Sequence, residues 1–253
     1  MTACDLGGKG VLVTRAAHQS AGLCRLIERH GGRAVAFPAV EIAPPAEPAA
    51  ATGLLRRPWD VAIFVSPNAV SFAGRLLGNV RLAATGVGAV GQATAEALMR
   101  SGYAVDLIPE GRYDSEGLLA LPALQRMAGR SVLIVRGTGG RPLLGDSLRA
   151  RGAKVGYAEV YRRLRPRADS ASLIARWPAE IDLVTVTSGE LLDNLVGMLG
   201  EAGWPLLRRT PLLVISERMR EVAEGRGFER VLRAAGADDA TLMEAVCDWA
   251  GQS

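Results

Sequence analysis

Short apolar runs alternate with amphipathic stretches along most of the chain. The runs are rich in β-branched residues and have the length of buried strands, whereas the stretches between them have helical periodicity. The predicted strands are 11–14, 33–37, 61–65, 85–90, 104–108, 132–135, 153–157, 183–186, 212–215 and 230–233. The predicted helices include 21–30, 69–77, 94–101, 116–121, 143–151, 191–202, 218–225 and 241–249. Such alternation is typical of α/β proteins with parallel sheets.

The second half of the chain repeats the pattern of the first. Four blocks recur at an offset that stays near 121–125 residues. The pairs are 9–15 (KGVLVTR) with 130–136 (RSVLIVR), 60–66 (DVAIFVS) with 182–188 (DLVTVTS), Val90 with Ile215, and Asp114 with Asp238. Short βα units resemble one another by chance, but a nearly constant spacing across four blocks favours a duplication.

The repeat predicts two similar doubly wound α/β domains, each with a five-stranded parallel sheet. The unit at 9–37 forms a complete five-stranded domain only together with the blocks near 182, 212 and 238. The remaining blocks, near 60, 87, 104, 130 and 153, form the other domain. We therefore expect a discontinuous domain of residues 1–37 and 163–253 and an inserted domain of residues 38–162. The extended segments 37–42 and 157–162 are predicted to pair as a two-stranded β-ladder hinge. The prolines at 44, 45 and 48 predict an irregular segment after the first of these.

Composition limits the functions that need to be considered. The 253 residues are 49 % hydrophobic and 22 % charged, as in ordinary globular proteins. No apolar run approaches the roughly 18 residues that a membrane span needs, and we see no secretory signal at the N-terminus. Cys4, Cys24 and Cys247 lie far apart, so we expect no disulfide framework and a reducing cytoplasm. The net charge of +4 includes no Lys/Arg block, so we expect neither nucleic acid nor membrane as a partner, and we expect a monomer.

Polar and glycine residues cluster where the predicted strands end and the helices begin. Ligands of open parallel sheets bind at the carboxyl ends of the strands, and helix N-termini attract anions. Serine and threonine at these positions are also ordinary helix caps, so each one alone has a structural explanation. The candidate residues at these ends are Thr14, Arg15, Ser66, Pro67, Asn68, Gly91, Thr94, Arg136, Gly137, Arg141, Ser188 and Gly189.

Motifs for metal, nucleotide or triad chemistry do not occur in the sequence. The glycine-rich residues 137–140 lack the P-loop pattern, and residues 86–91 lack the dinucleotide fingerprint. Two histidines and three scattered cysteines give no metal-ligand spacing, and there is no nucleophile elbow. We therefore expect no metal and no cofactor. The pattern favours either a binding protein or an enzyme that holds a reactive substrate in one conformation.

The order and spacing of these short motifs resemble those of the uroporphyrinogen-III synthase family. The matching pieces include 11–15 (VLVTR), Pro38, Ile42, 63–70 (IFVSPNAV), 90–95 (VGQATA), 114–119 (DSEGLL), 136–141 (RGTGGR), Gly152, 160–162 (VYR), 187–188 (TS) and 213–216 (LVIS). The resemblance extends over nearly the whole chain. It implies two α/β domains joined by a two-stranded β-ladder, with one domain discontinuous.

The resemblance also implies a reaction. The substrate would be hydroxymethylbilane, a linear tetrapyrrole with eight carboxylates, handed over from hydroxymethylbilane synthase. A cofactor-free hydro-lyase would cyclise it, in a cleft between the domains, to uroporphyrinogen III with loss of water. Ring D would be inverted through a spiro intermediate. Because the substrate also cyclises unaided to the uninverted isomer, the protein would mainly steer the outcome.

Individual residues match the family pattern. Tyr161 matches a tyrosine on the hinge, where it would donate a proton to the leaving hydroxyl or stabilise it. The alternative is a packed hinge aromatic. The resemblance makes Thr94, Ser66, Ser188 and Ser216 hydrogen-bond donors to substrate carboxylates, and it makes Arg15, Arg136 and Arg141 charge partners.

Two residues of the second domain's equivalent motif depart from the pattern, and the first is Ser216 in place of glycine. Met219 stands where the second domain's equivalent motif has threonine. This residue supports an alternative, a non-catalytic tetrapyrrole-binding or regulatory relative. A two-lobed binding protein for another small anion is a further alternative.

Overall fold

The structure is a computed structural model, and it describes residues 4–252. The chain divides into two units, with Ile42–Arg163 inserted between the two parts of the first unit. That first unit comprises the chain up to Glu41 and the chain from Leu164 onward. The inserted domain predicted from the sequence is residues 38–162. We call the discontinuous part unit 1 and the inserted part unit 2.

Strands and helices alternate along the described chain. In order they are β1 (Gly10–Val13), α1 (Ala17–Arg29), β2 (Arg33–Ala36), β3 (Glu41–Ala43), α2 (Pro48–Leu55), β4 (Trp59–Phe64), α3 (Pro67–Leu77), β5 (Ala84–Ala89), α4 (Gln92–Arg100), α5 (Ser115–Leu119), a 3-10 turn (Pro122–Leu124), β6 (Ser131–Gly137), α6 (Leu143–Ala150), β7 (Lys154–Leu164), α7 (Ser170–Glu180), β8 (Leu183–Thr185), α8 (Gly189–Arg209), β9 (Leu212–Val214), α9 (Glu217–Gly225), β10 (Val231–Arg233) and α10 (Asp239–Gly251). Helix α8 is interrupted at Gly200, whose φ of 58° is not helical.

The sheet of unit 1 combines strands from both ends of the chain. Its order is β10-β9-β8-β1-β2, and all neighbouring strands are parallel. The predicted five-stranded parallel sheet is confirmed. Its apolar core includes Val11 and Val13 of β1, Leu23 of α1, and Val246 of α10, all of them fully buried. The two terminal parts of the chain therefore depend on each other for burial of their apolar faces.

The sheet of unit 2 has five strands, as predicted, but one of the five differs from the strand that we expected. Its order is β3-β7-β6-β4-β5. The predicted strand 104–108 is wrong, since Leu107 forms only an isolated bridge with Gly88. The Asp106 carboxylate accepts the Val87 N–H at 2.8 Å. If 104–108 were a regular strand, one of its backbone carbonyls would accept this N–H instead. Strand β3 lies beside β7 at the opposite edge and is the fifth strand.

Two other expectations for unit 2 need correction. Strand β7 runs without interruption from Lys154 to Leu164, so the predicted strand 153–157 and hinge segment 157–162 are one element. Its neighbour β3 covers the end of the other hinge segment, and a hinge function of this pair stays a prediction. The segment expected to be irregular contains helix α2, with Pro48 at its first position, where proline needs no N–H partner.

A pair of aspartates explains part of the sequence repeat. Asp60 precedes the buried part of β4, and its carboxylate accepts the N–H and the hydroxyl of Ser131, both at 2.7 Å. Asp182 precedes β8, and its carboxylate accepts the Gly10 N–H at 2.7 Å. Ser131 and Gly10 begin the neighbouring strands β6 and β1. Each aspartate therefore joins two adjacent strands at the amino end of its own sheet.

Removing the Asp60 charge is expected to destabilise unit 2 in a pH-dependent way. Hydrogen bonds from the Ser131 N–H and hydroxyl lower the pKa of Asp60. A lowered folded-state pKa stabilises the fold above the ordinary value of about 3.9, and that contribution is lost as the pH falls through the folded pKa. Asp60→Asn should therefore lower Tm at pH 7, and the difference from wild type should shrink below about pH 4.

Thermal unfolding from pH 3 to pH 7 checks this expectation. Glu201→Gln removes an exposed carboxylate and is the matched control, with no difference from wild type across the range. An Asp60→Asn difference that stays constant down to pH 3 would contradict the electrostatic origin of the effect.

The prediction of unpaired cysteines is wrong for two of the three. Cys4 and Cys247 form a disulfide with a Cα–Cα distance of 5.7 Å, and Cys24 is free. Cys4 precedes β1 and Cys247 lies on α10, and both pack on the same apolar core of unit 1. The two cysteines are 243 residues apart in the sequence, and only the discontinuous fold of unit 1 brings them together. The sequence alone therefore did not indicate this pairing. Burial raises the pKa of the Cys24 thiol.

Loss of the cross-link is expected to lower the stability of unit 1. A disulfide that closes a long loop limits the freedom of the unfolded chain and contributes about 2–4 kcal/mol. Cys247→Ser should therefore lower Tm by about 5–10 °C under oxidising conditions and have no effect in reductant. Calorimetry in both conditions, with Cys24→Ser as control, measures the difference. Equal Tm values for wild type and Cys247→Ser in oxidant would show that the bond does not form.

Candidate functional site

Three serines cap helices at the carboxyl ends of the strands. Each has an extended backbone, and its Oγ accepts an amide hydrogen bond from the residue three positions on. Ser66 caps α3 through Ala69 (3.1 Å), Ser188 caps α8 through Leu191 (3.2 Å) and Ser216 caps α9 through Met219 (3.3 Å). Such N-termini leave other amide groups free and carry a partial positive charge, which suits carboxylates.

In unit 1, the N-termini of α8 and α9 share one cavity. Its volume is about 430 Å³, and Gly189 and Ser216 both line it. The other lining residues are Leu192, Asp193, Arg218, Met219, Val222 and Arg226. Arg226 pairs with Asp193 at 2.6 Å, whereas the side chain of Arg218 is exposed. The structure thus brings Ser188, Gly189 and Ser216 to one edge and adds Arg218, which the sequence analysis did not single out.

Met219 does not disrupt this edge. The cap of α9 uses the backbone N–H of Met219, which every residue except proline can supply. Its side chain lines the cavity beside Val222 and Leu192. The substitution therefore removes a possible hydroxyl donor but keeps the helix N-terminus in place.

Two other candidates in unit 1 have structural partners. Thr14 is fully buried, and its hydroxyl donates to the Thr185 carbonyl at 2.7 Å. The Arg15 guanidinium pairs with Asp239 at 2.6 Å and also donates to the Ala237 carbonyl. These contacts connect β1 with β8 and with the start of α10.

In unit 2, Tyr161 lies against the N-terminus of α3. Its hydroxyl oxygen is 3.2 Å from the Ser66 Oγ. The ring packs so closely on Gly137 that a Cβ there would lie 2.6 Å from two ring carbons. The Tyr161 carbonyl accepts the Thr138 N–H at 2.8 Å, and only 5 % of the residue is exposed. The structure therefore joins three sequence candidates, Ser66, Gly137 and Tyr161, in one contact group.

The remaining residues at the start of α3 and α4 lie in first helical turns. Pro67 occupies the first position of α3 and Asn68 follows it. Gly91 is the N-cap of α4, so Thr94 is not the cap but a buried residue of its first turn. Tyr113 lies beside Gly91, with 55 % of its surface exposed. Tyr113 was not predicted as a site residue. Its position just before the motif 114–119 is the only signal for it in the sequence.

The two arginine candidates of unit 2 differ in their surroundings. The Arg136 guanidinium donates to Glu159 at 3.0 Å and to the Gly140 carbonyl at 3.1 Å, and it lies 4.1 Å from the centre of the Tyr157 ring. Its charge is thus already paired. Arg141 is exposed in the loop before α6. Arg136, by contrast, lines a cavity of about 290 Å³ together with Thr138 and Glu159.

The carboxylate of Asp114 has a structural role as the cap of α5. Asp114 is the N-cap of this helix, and its carboxylate accepts the Gly117 N–H at 2.8 Å. That hydrogen bond and the neighbouring Arg112 lower the pKa of Asp114. Asp114 is therefore ionised at neutral pH and cannot act as a general acid there.

Metal-ligand clusters and membrane-spanning helices are both absent from residues 4–252. These residues contain no group of three or more His, Cys, Asp or Glu side chains placed to hold a metal ion. None of the helices in this range is long and apolar enough to cross a membrane.

The fold defines an α/β protein with two units, each containing a five-stranded sheet, in which capped helix N-termini follow strand ends. Comparison with known proteins narrows this class. The family profile described as uroporphyrinogen-III synthase HemD matches residues 22–244. The chain belongs to the uroporphyrinogen-III synthase family, a family of enzymes. The resemblance seen in the sequence is confirmed.

Individual relatives agree with this assignment. The chain is 36 % identical to the uroporphyrinogen-III synthase of Salmonella typhimurium over 93 % of its own length and 99 % of that protein. It is 42 % identical to the Escherichia coli enzyme over 62 % of the chain, a match that spans only 65 % of that enzyme.

Solved structures support the fold alone. A mutant uroporphyrinogen III synthase from the extremely thermophilic bacterium Thermus thermophilus has a TM-score of 0.61 at 19 % identity and covers 96 % of this chain and 99 % of its own. The Helicobacter pylori enzyme has a TM-score of 0.60 at 17 % identity, covering 85 % and 92 % of the two chains.

Proposed function

We propose that this protein is a uroporphyrinogen-III synthase that converts hydroxymethylbilane to uroporphyrinogen III with loss of water and inversion of ring D. The observation that carries the proposal is the hydroxyl of Tyr161 next to the capped N-terminus of α3, in a chain of this family. A phenol can supply a proton to a leaving hydroxyl group, and a helix N-terminus stabilises the negative charge that results.

The substrate is proposed to bind through its carboxylates. In unit 1, free amides at the start of α8 and α9 would hold carboxylates beside Ser188, Gly189 and Ser216, with Arg218 as the charge partner. In unit 2, the corresponding donors would be Asn68 at α3, the Gly91 N–H and the Thr94 hydroxyl at α4, and the Arg141 guanidinium, whereas Pro67 has no N–H to donate. Thr14, Arg15 and Arg136 are not part of this proposal, because the Thr14 hydroxyl donates to a backbone carbonyl and both guanidinium groups are paired with carboxylates.

The proposed chemistry needs positioning more than activation. Tyr161 donates its proton to the hydroxyl of ring A, the C–O bond breaks with its electron pair going to oxygen, and water leaves. The products of this step are a tyrosinate and a cationic azafulvenium. Ring D then attacks through its substituted carbon to give the cationic spiro intermediate, which opens and closes again in the inverted order. Loss of the surplus proton from the closed ring to the tyrosinate gives neutral uroporphyrinogen III and restores Tyr161. The substrate contains its own leaving group and nucleophile, so we propose no cofactor.

The surroundings of the enzyme are part of the proposal. We propose a cytoplasmic monomer that receives its substrate from hydroxymethylbilane synthase and binds neither nucleic acid nor membrane. A short transfer would limit unaided cyclisation to the wrong isomer. A cytoplasmic location implies that the Cys4–Cys247 bond is largely reduced, so the activity should not depend on it.

A non-catalytic relative on the same scaffold was the alternative, supported by Met219. The structure weakens that support, because the Met219 N–H still completes the cap of α9. The remaining alternative is a protein that binds finished tetrapyrroles without turnover, and an experiment has to distinguish it from the synthase.

Genetic complementation separates the two functions. An Escherichia coli strain that lacks its own uroporphyrinogen-III synthase would receive this chain, Tyr161→Phe or an empty vector. We expect the wild-type chain to restore growth without added haem. Folded wild-type protein that accumulates in the strain without restoring growth would contradict the enzyme and favour a binding protein.

A further inference from the structure

The surroundings of Tyr161 hold it at three places. Its carbonyl accepts the Thr138 N–H, its ring packs on Gly137 and lies 5.8 Å from the centre of the Phe72 ring, and its hydroxyl meets Ser66 at 3.2 Å. The first two contacts fix the strand and the plane of the ring. Only the third acts on the hydroxyl group, whose hydrogen can still rotate about the C–O bond.

The direction of the Ser66–Tyr161 hydrogen bond decides whether Tyr161 can donate to substrate. Each hydroxyl has one hydrogen, and the geometry lets either residue be the donor. If Tyr161 donates to Ser66, its hydrogen points away from the substrate. If Ser66 donates, the Tyr161 hydrogen is available for another acceptor. The Ser66 Oγ already accepts the Ala69 N–H at 3.1 Å, and this polarises the serine O–H toward donation.

We propose that Ser66 is a positioning residue that acts through Tyr161, donating its hydroxyl hydrogen to the Tyr161 oxygen. This inference rests on the proposed function. The chain of donors then runs in one direction, from the Ala69 N–H to the Ser66 Oγ, from the Ser66 O–H to the Tyr161 oxygen, and from the Tyr161 O–H to the leaving hydroxyl. When the proton has moved and water has left, the tyrosinate keeps the Ser66 hydrogen bond at the positive end of α3.

Unit 1 shows that the arrangement is specific to Ser66. Ser188 and Ser216 cap their helices in the same way, and each accepts one amide at 3.2 or 3.3 Å. Neither has a tyrosine hydroxyl as a partner in the described residues. The cap is therefore a feature that the units share, whereas the Ser66–Tyr161 contact distinguishes unit 2.

Substitutions at Ser66 separate the cap from the donated hydrogen. Ser66→Thr keeps both functions. Ser66→Asp keeps an oxygen that accepts the Ala69 N–H, and aspartate is among the best caps, but its carboxylate has no hydrogen to donate. Ser66→Ala loses both. Asp169→Ala removes the cap of α7, which accepts the Ser172 N–H at 3.0 Å in unit 1, and is the control for cap loss alone.

The test measures kcat, KM and Tm of these variants on hydroxymethylbilane, in wild-type and Tyr161→Phe backgrounds. We expect Ser66→Thr to keep wild-type kcat, and Ser66→Asp and Ser66→Ala to lose about tenfold to a hundredfold in kcat with little change in KM. Tm should fall only for Ser66→Ala and Asp169→Ala, and kcat should be unchanged in Asp169→Ala. In the Tyr161→Phe background, Ser66→Ala should cause no further loss, because its effect is transmitted by the missing hydroxyl.

Three results would overturn the inference while leaving the proposed function intact. They are a Ser66→Asp enzyme with wild-type kcat, a loss that appears mainly in KM, and a Ser66→Ala effect that adds fully to that of Tyr161→Phe. Wild-type protein that forms no uroporphyrinogen III would overturn the proposed function, and this inference with it.

Discussion

Tyr161→Phe is expected to lower kcat by about a hundredfold or more while leaving Tm within a few degrees of wild type. Loss of a positioned proton donor typically costs about 10²–10⁴ in rate. Loss of one hydroxyl contact, the one to Ser66 at 3.2 Å, costs only about 1 kcal/mol of stability. The ring itself stays in its place against Gly137 and Phe72.

The control for Tyr161→Phe is the same change at the other tyrosine of β7. Tyr157 accepts a hydrogen bond from Arg149 at 3.3 Å, and its hydroxyl lies outside the proposed site. Tyr157→Phe should keep wild-type kcat. If Tyr161→Phe also kept it, or if its loss of activity followed a comparable loss of stability, Tyr161 would be a packed aromatic and not a proton donor.

Gly137→Ala is expected to displace the Tyr161 ring and to reduce both activity and stability. The new Cβ would lie 2.6 Å from two ring carbons, a distance at which one group must move. Tyr161 is nearly buried in the core of unit 2, so the ring has little room. Overpacking of this kind costs about 1–3 kcal/mol. We expect a fall of at least about tenfold in kcat, because a misplaced catalytic group loses its alignment.

Gly74→Ala is the matched substitution in unit 2. Gly74 is exposed on α3, and no atom lies within 4 Å of its added Cβ. It should keep wild-type kcat and gain stability slightly, because alanine favours the helix. Calorimetry and steady-state rates distinguish the two variants. Wild-type kcat in Gly137→Ala would mean that the position of the Tyr161 ring does not control the reaction.

The sequence repeat predicted most of the fold because its blocks carry the contacts that build each sheet. Asp60 and Asp182 occupy equivalent positions and both join neighbouring strands. The alternation of strands and helices then fixed the five-stranded parallel sheets, and the constant offset showed that the chain ends belong to one unit.

The errors in the fold came from contacts that a local pattern does not contain. The segment around Leu107 has the composition of a strand, but the Asp106 side chain takes the Val87 N–H. The extended segment 37–42 and its pairing with 157–162 were predicted, but the membership of β3 in the five-stranded sheet of unit 2 was not. The Cys4–Cys247 bond joins residues that come together only when both ends of the chain fold into unit 1.

The candidate site was predicted as a set of strand ends, and its internal contacts were not. Ser66, Thr94 and Ser188 were readable as possible caps, and the two serines are caps, whereas Gly91 caps α4 in place of Thr94. The Ser66–Tyr161 pair spans 95 residues and depends on the placement of β7 relative to β4, which no local signal contains. For the same reason, the sequence did not separate Arg136, which is paired with Glu159, from Arg141, which is exposed.

The isomer composition of the product tests the central claim most directly. Freshly made hydroxymethylbilane would be incubated with purified protein, without metal or nucleotide, and the products oxidised and separated as porphyrin isomers I and III. We predict that isomer III predominates and that its initial rate rises in proportion to protein concentration. Isomer I alone, formed by folded protein at the rate of the protein-free control, would contradict the proposed synthase.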